Sequence, residues 1–85
     1  MGGNVQAYVF FDLKARKVAD VVEAVNAVDG VTMAHAVTGR YDAIAFLEGD
    51  DFAELASEIL PKIRAVDGIL GTETAVVIAE PREEL

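Results

Sequence analysis

The feature that most constrains this chain is an internal repeat. Ala27-Val28-Asp29-Gly30-Val31 recurs as Ala65-Val66-Asp67-Gly68-Ile69, an offset of 38 residues. The same offset aligns Ala7-Tyr8-Val9 with Ala45-Phe46-Leu47. It also aligns Val18, Val21, Val22 and Val25 with Ala56, Ile59, Leu60 and Ile63. Short matches arise by chance, but an offset kept through three elements implies two copies of one folding unit. Both copies must share a core, because 85 residues bury only roughly 63% of their surface on folding. The expectation is one domain over residues 5–80, with polar tails at 1–4 and 81–85. That size leaves no room for a second domain, such as a DNA-reading helix-turn-helix.

Each unit reads as strand, helix, strand. Residues 5–13, VQAYVFFDL, are β-branched and aromatic and predict a strand. Over 16–28, Val18, Val21, Val22, Val25 and Val28 recur at helical spacing. So many valines weaken intrinsic helix propensity, so packing must hold this helix. Asp29-Gly30 ends it with a left-handed cap. Residues 31–38 predict a second strand, Gly39-Arg40 a tight turn, and 42–48 a third strand. Gly49-Asp50-Asp51 opens a second helix, with Asp51 and Glu54 spaced as a capping box. Its apolar face is Phe52, Leu55, Ala56, Ile59, Ile63 and Val66, and Pro61 within it should kink or shorten the helix. Asp67-Gly68 ends it, and 70–80 predict a fourth strand. The order βαββαβ predicts an α+β fold, a ferredoxin-like sandwich with both helices on one face of an antiparallel sheet.

A sheet covered on one side should alternate apolar and polar residues. These strands are apolar on both sides. Ala43, Ala45 and Leu47 alternate with Ile44 and Phe46. Val5, Ala7, Val9, Phe11 and Leu13 alternate with Tyr8 and Phe10, and Val76 and Ile78 with Ala75, Val77 and Ala79. An uncovered face of this kind exceeds what monomers tolerate. The sheet is therefore expected to pack on a second copy, an isologous dimer forming a dimeric α+β barrel, with Ile44, Ala45, Phe46 and Leu47 as candidate interface residues.

Composition excludes several function classes. Fifteen acids against seven bases give a net charge of −8, and Lys14, Arg16 and Lys17 are the only basic cluster, so direct nucleic-acid binding is not expected. Cysteine is absent, which removes disulfides, thiol chemistry and thiolate zinc sites. His35 is the only histidine, and a lone histidine makes no metal site. Asp50, Asp51, Glu54 and Glu58 read as a solvated helix face, not a calcium loop. No nucleophile triad, phosphate loop or dinucleotide motif is present, so neither an enzyme nor a cofactor is expected. No apolar run is long enough to span a membrane, and MGGNVQ lacks a signal-peptide pattern, so the expected location is the cytoplasm.

One stretch carries candidate binding chemistry. Thr38, Gly39, Arg40, Tyr41 and Asp42 combine free N–H groups, a hydroxyl, a guanidinium, an aromatic ring and a carboxylate. Turn chemistry alone also accounts for every one of them.

AYVFFDL, AVDGV, HAVTGRYDAIAFL and LGTETAVVIAE, in this order, resemble the effector-binding domain of the Lrp/AsnC regulators, in the stand-alone form without its DNA-binding half. The resemblance covers residues 5–80. Its most specific parts are Thr38-Gly39-Arg40-Tyr41-Asp42 and Gly71-Thr72-Glu73-Thr74, and it departs conservatively at Gly68-Ile69, where the family has Gly-Val. It implies dimers joined through their sheets and assembled into rings, commonly octamers. It implies amino acids or similar small molecules bound between dimers, and a full-length regulator as a possible partner. The implied lining is Thr38, Gly39, Arg40, Tyr41 and Asp42, with Thr72, Glu73 and Thr74. Two alternatives share the element order: a small cofactor-free or haem-handling monooxygenase, and an ACT-like amino-acid domain. The first is disfavoured by the absence of Trp and by His35 being the sole histidine.

The charge balance sets the first test. The purified chain should leave a DNA duplex unshifted at physiological salt; salt-dependent binding at micromolar concentration would contradict it.

Overall fold

The computed structural model describes residues 4–78. Strand β1 is Val5–Leu13, and a 3₁₀ turn at Ala15–Lys17 leads into helix α1, Val18–Asn26. Strands β2, Val31–Ala36, and β3, Ala43–Gly49, follow. A second helix, α2, covers 52–64, and strand β4 is Ile69–Val76. The strands form one antiparallel sheet in the order β2-β3-β1-β4. This is the ferredoxin-like βαββαβ arrangement. The expected strand end at 79–80 and both tails, apart from Asn4, lie outside the described residues.

The repeat is visible in the packing. Ala7 and Ala45, Val9 and Leu47, Val21 and Ile59, and Val25 and Ile63 are partners at the offset of 38, and all eight side chains are buried. They lie between the sheet and the helices with Phe11, Leu13, Ala34, Ala43 and Leu55. Gly30 and Gly68, also repeat partners, take φ of 96° and 107°. A side chain there is strained, and the space is already filled. A Cβ on Gly30 would lie 2.4 Å from Ile59 Cδ1, and one on Gly68 would lie 2.8 Å from Lys17 Cβ.

Register fixes which residues share a face. Ala7 opposes Leu47 and Val9 opposes Ala45, on the helix side. Tyr8 opposes Phe46 and Phe10 opposes Ile44, on the open side. Tyr8 and Phe46 pack with ring centroids 4.8 Å apart. This corrects half of the expected interface: Ala45 and Leu47 are wholly buried by the chain's own helices, so of the four candidates only Ile44 and Phe46 face outward. His35 opposes Ile44, and Met33 opposes Phe46, on the same open face.

Four local features add to or depart from expectation. The strands stop at Ala36 and resume at Ala43, so the hairpin connection is a six-residue loop, not a tight turn, closed by Val37 N–H donating to the Asp42 carbonyl at 3.0 Å. Pro61 neither breaks nor shortens α2. A π-helical stretch, Leu55–Ile59, precedes it, and Leu60 N–H donates to the Leu55 carbonyl, five residues back. Proline has no N–H to give the ladder, and its ring crowds the carbonyl four residues back; the wider turn accommodates both. The cap is as expected on one side, with Glu54 N–H donating to Asp51 Oδ1 at 2.8 Å, but Glu54 Oε1 accepts from Asp50 N–H. The fourth feature is Asn26, which gave no sequence signal. Its amide donates to the Ala34 carbonyl at 3.0 Å and accepts from Ala34 N–H at 2.9 Å, pairing with edge strand β2 as a neighbouring strand would.

The two glycines make a graded test. Gly68→Ala combines an unfavourable φ, about 1 to 3 kcal/mol, with a collision against Lys17 and Val21. Gly39→Ala meets nothing within 4 Å and carries only the backbone term at φ 107°. Urea unfolding should show the larger midpoint loss for Gly68→Ala; equal losses would mean that the close packing is not felt.

Candidate ligand site at the hairpin end of the sheet

The loop 37–42 and the start of β4 meet at one end of the sheet because β1, which lies between β3 and β4, is long enough to pair with both. Gly39, at φ 107°, turns the loop tip. Tyr41 is thereby laid along the open face, with its ring centroid 5.1 Å from that of Phe10 and the planes inclined by 34°. Its hydroxyl donates to a carboxylate oxygen of Glu73, spanning β1 to reach β4. The Arg40 guanidinium carbon lies 5.7 Å from the Tyr41 ring centroid, within cation–π range.

The Tyr41 phenol is held above its ordinary value of about 10. The largest cause is the hydrogen bond to Glu73, which stabilises the protonated phenol; desolvation and the Glu73 charge add to it, Arg40 opposes, and Asp12 adds a small push. The site thus presents a cation over one aromatic ring and an anion at that ring's hydroxyl.

The other expected residues fall elsewhere. Asp42 is an architectural residue in this fold. Its Oδ2 accepts Leu13 N–H at 2.8 Å, where the β1–β4 register shifts, and its own N–H donates to the Phe11 carbonyl at 2.8 Å. Thr72 and Thr74 oppose Phe11 and Val9, so they lie on the helix side of β4, across the sheet from Glu73. Thr74 Oγ1 is buried there without a hydrogen-bond partner. Thr38 and Gly39 are exposed in the loop. Of the eight candidates, Arg40, Tyr41 and Glu73 converge. Phe10 and Asp12 complete the cluster. The alternation of β1 shows both on the open face, but only the pairing of Phe10 with Glu73 brings them to the site.

At the opposite end of the open face, Glu48 accepts from Gln6 Nε2 at 3.0 Å and Thr32 Oγ1 at 2.9 Å. These bonds, Gln6 foremost, lower its pKa below the usual carboxylate range. Among the described residues, no three His, Asp or Glu side chains are grouped to hold a metal ion.

The chain is a ferredoxin-like domain with one sheet face uncovered by its described helices and a charged aromatic cluster at its hairpin end. The sequence matches the Lrp/AsnC ligand binding domain over residues 6–85, and the chain belongs to that family, a regulatory ligand-binding domain of transcription regulators. An HTH-type transcriptional regulator of Pyrococcus abyssi, itself uncharacterized, is 33% identical over 76 residues, covering 89% of this chain and 48% of the regulator. The chain therefore spans about half the length of the curated relatives it matches. Among solved structures, AsnC of E. coli superposes with a TM-score of 0.84 at 25% identity, over 99% of this chain and 57% of AsnC. A protein of Thermus thermophilus superposes with a TM-score of 0.83 at 29% identity, over 92% of this chain and 99% of its own. No described helix is long and apolar enough to cross a membrane.

The raised phenol can be read directly. Ultraviolet titration should show Tyr41 ionising above the ordinary tyrosine range, and Glu73→Gln should bring it back down, because the amide carries no charge to oppose a phenolate. Tyr8→Phe removes the other tyrosine signal. An unmoved titration in Glu73→Gln would break the assigned bond.

Proposed function

We propose that this chain senses an amino acid or a similar small zwitterion at its hairpin end, and that binding there alters how copies assemble. The observation that carries the reading is the placement of Arg40 over the Tyr41 ring and of Glu73 at its hydroxyl. A zwitterion needs a cation for its carboxylate and an anion for its ammonium, and a ring to receive the side chain. Arg40 takes the carboxylate, Glu73 exchanges its bond from Tyr41 for the ammonium, and Phe10 with Tyr41 supports the apolar part. Thr38 and Gly39 supply loop groups toward the same ligand. Asp42 acts by holding the loop to β1.

The same reading covers the open face with a second copy, through Tyr8, Phe10, Ile44 and Phe46. Dimers then meet through their hairpin ends in a ring, an octamer or similar, with the ligand between dimers. The chain is no enzyme in this reading. It acts in the cytoplasm in transcription regulation, where a full-length Lrp/AsnC regulator is a fitting partner.

A thermal-shift screen of the twenty amino acids tests the ligand, since one at 100 times its Kd stabilises by about 2.7 kcal/mol. Arg40→Ala and Glu73→Ala should each weaken binding by about 1.5 to 3 kcal/mol, roughly ten- to hundredfold in Kd, while Glu58→Ala on α2 changes nothing. Asp42→Ala should lower the unfolding midpoint even without ligand. Binding indifferent to both Arg40→Ala and Glu73→Ala would leave the loop as a turn alone. Phe46→Asp should give monomers or insoluble protein, and a stable wild-type monomer in sedimentation would refute the sheet-to-sheet contact.

A further inference from the structure

The cluster at the hairpin end holds more acid than base. Arg40 is its guanidinium, and Glu73 and Asp12 are its two carboxylates. Asp42 adds a third acid alongside, committed to Leu13 N–H at 2.8 Å. A ligand with one carboxylate and one ammonium engages Arg40 and Glu73 and leaves Asp12 without a partner. The chain does not supply one. Among the described residues the one ion pair is Lys17 with Asp67 at 3.5 Å, so neither Arg40 nor Lys14 neutralises Asp12. Asp12 and Glu73 share the open face on neighbouring strands. Phe10 opposes Glu73 and Asp12 opposes Gly71, so the two acids are diagonal neighbours, about 7–8 Å apart at the backbone. Gly71 stands next to both and adds no side chain. A Cβ there would make an ordinary contact with Asp12 Oδ2 at 3.8 Å and, its chain neighbours aside, meet nothing else within 4 Å. Its φ is not positive, so the backbone does not call for glycine at this position. What glycine provides is open space beside the Asp12 carboxylate.

Resting on the amino-acid site proposed above, we propose that Asp12 sets its specificity and that the ligand is a basic amino acid, whose side-chain ammonium or guanidinium pairs with Asp12 over Gly71. Arg40 and Glu73 hold the α-carboxylate and the α-ammonium. The alkyl stem of the ligand lies along Phe10 and Tyr41, as long cationic side chains cover apolar surface while their heads reach an acid. An apolar amino acid satisfies Arg40 and Glu73 but covers Asp12 without pairing it, at a desolvation cost. An acidic one brings a further negative charge against Asp12 and Glu73. The charge balance of the cluster thus ranks basic above apolar and apolar above acidic ligands.

Calorimetric titration of the full chain tests this with lysine, arginine, glutamate and norleucine, which is lysine without its side-chain charge. Lysine or arginine should bind about fivefold or more tighter than norleucine, the worth of one opposite-charge pair, with glutamate weakest. Asp12→Asn should bring the basic ligands down to the norleucine level and leave norleucine unmoved, and Asp12→Glu should keep the preference. A merely structural role for Asp12 would weaken all four ligands together. Circular dichroism follows folding in both variants. Norleucine or glutamate binding as tightly as lysine and arginine, or a basic preference that survives Asp12→Asn, overturns the assignment and leaves amino-acid sensing standing. Failure of both lysine and arginine to bind also overturns it, and the sensing reading falls with it only if the screen of all twenty amino acids is blank. A native mass that drops in Asp12→Asn while the ligand preference holds gives Asp12 to a contact between copies and overturns its role in specificity.

Discussion

The structure depends on the alternation of its two central strands. β1 and β3 send Ala7, Val9, Ala45 and Leu47 to one side, where they vanish under the helices, and Tyr8, Phe10, Ile44 and Phe46 to the other. A slip of one residue in this pairing would exchange the two sets. The small alanines let the helices approach closely, and the large aromatics belong to the side that no described helix covers. The proposed binding and the proposed assembly both rest on that side: it offers area for another copy, and its rim carries the polar groups.

The fold was legible because the repeat constrains two units at once. Each expected element exists, and the glycines at 30 and 68 end their helices as the offset requires. What was not legible depended on contacts between distant positions. The period-two pattern shows that Ala45 and Phe46 face opposite ways, but not which side receives the helices. The proline was visible at 61, yet its consequence was a widened turn at 55–59, because the buried Leu55, Ile59 and Ile63 keep the helix on the sheet on both sides of it.

The site was legible in its residue types more than in its geometry. Arg40, Tyr41 and Glu73 share a cluster. Thr72 and Thr74 flank Glu73 in sequence and for that reason face away from it, as any strand requires. Asp42 looked like a ligand group because it is a carboxylate in a polar loop, but its oxygen answers the Leu13 amide where the β1–β4 register shifts. Nothing local in the sequence distinguishes those two uses of an aspartate.

The Asn26 amide has a consequence for solubility. β2 is a border strand with Val31, Met33 and an exposed backbone edge, the kind of template on which unrelated chains stack into aggregates. Asn26 occupies the hydrogen-bonding groups of Ala34 at the middle of that border. One side chain, supplied by the helix that precedes the strand, thus acts as a stopper against uncontrolled sheet growth. It leaves the middle of that edge without free backbone groups for another chain to pair with.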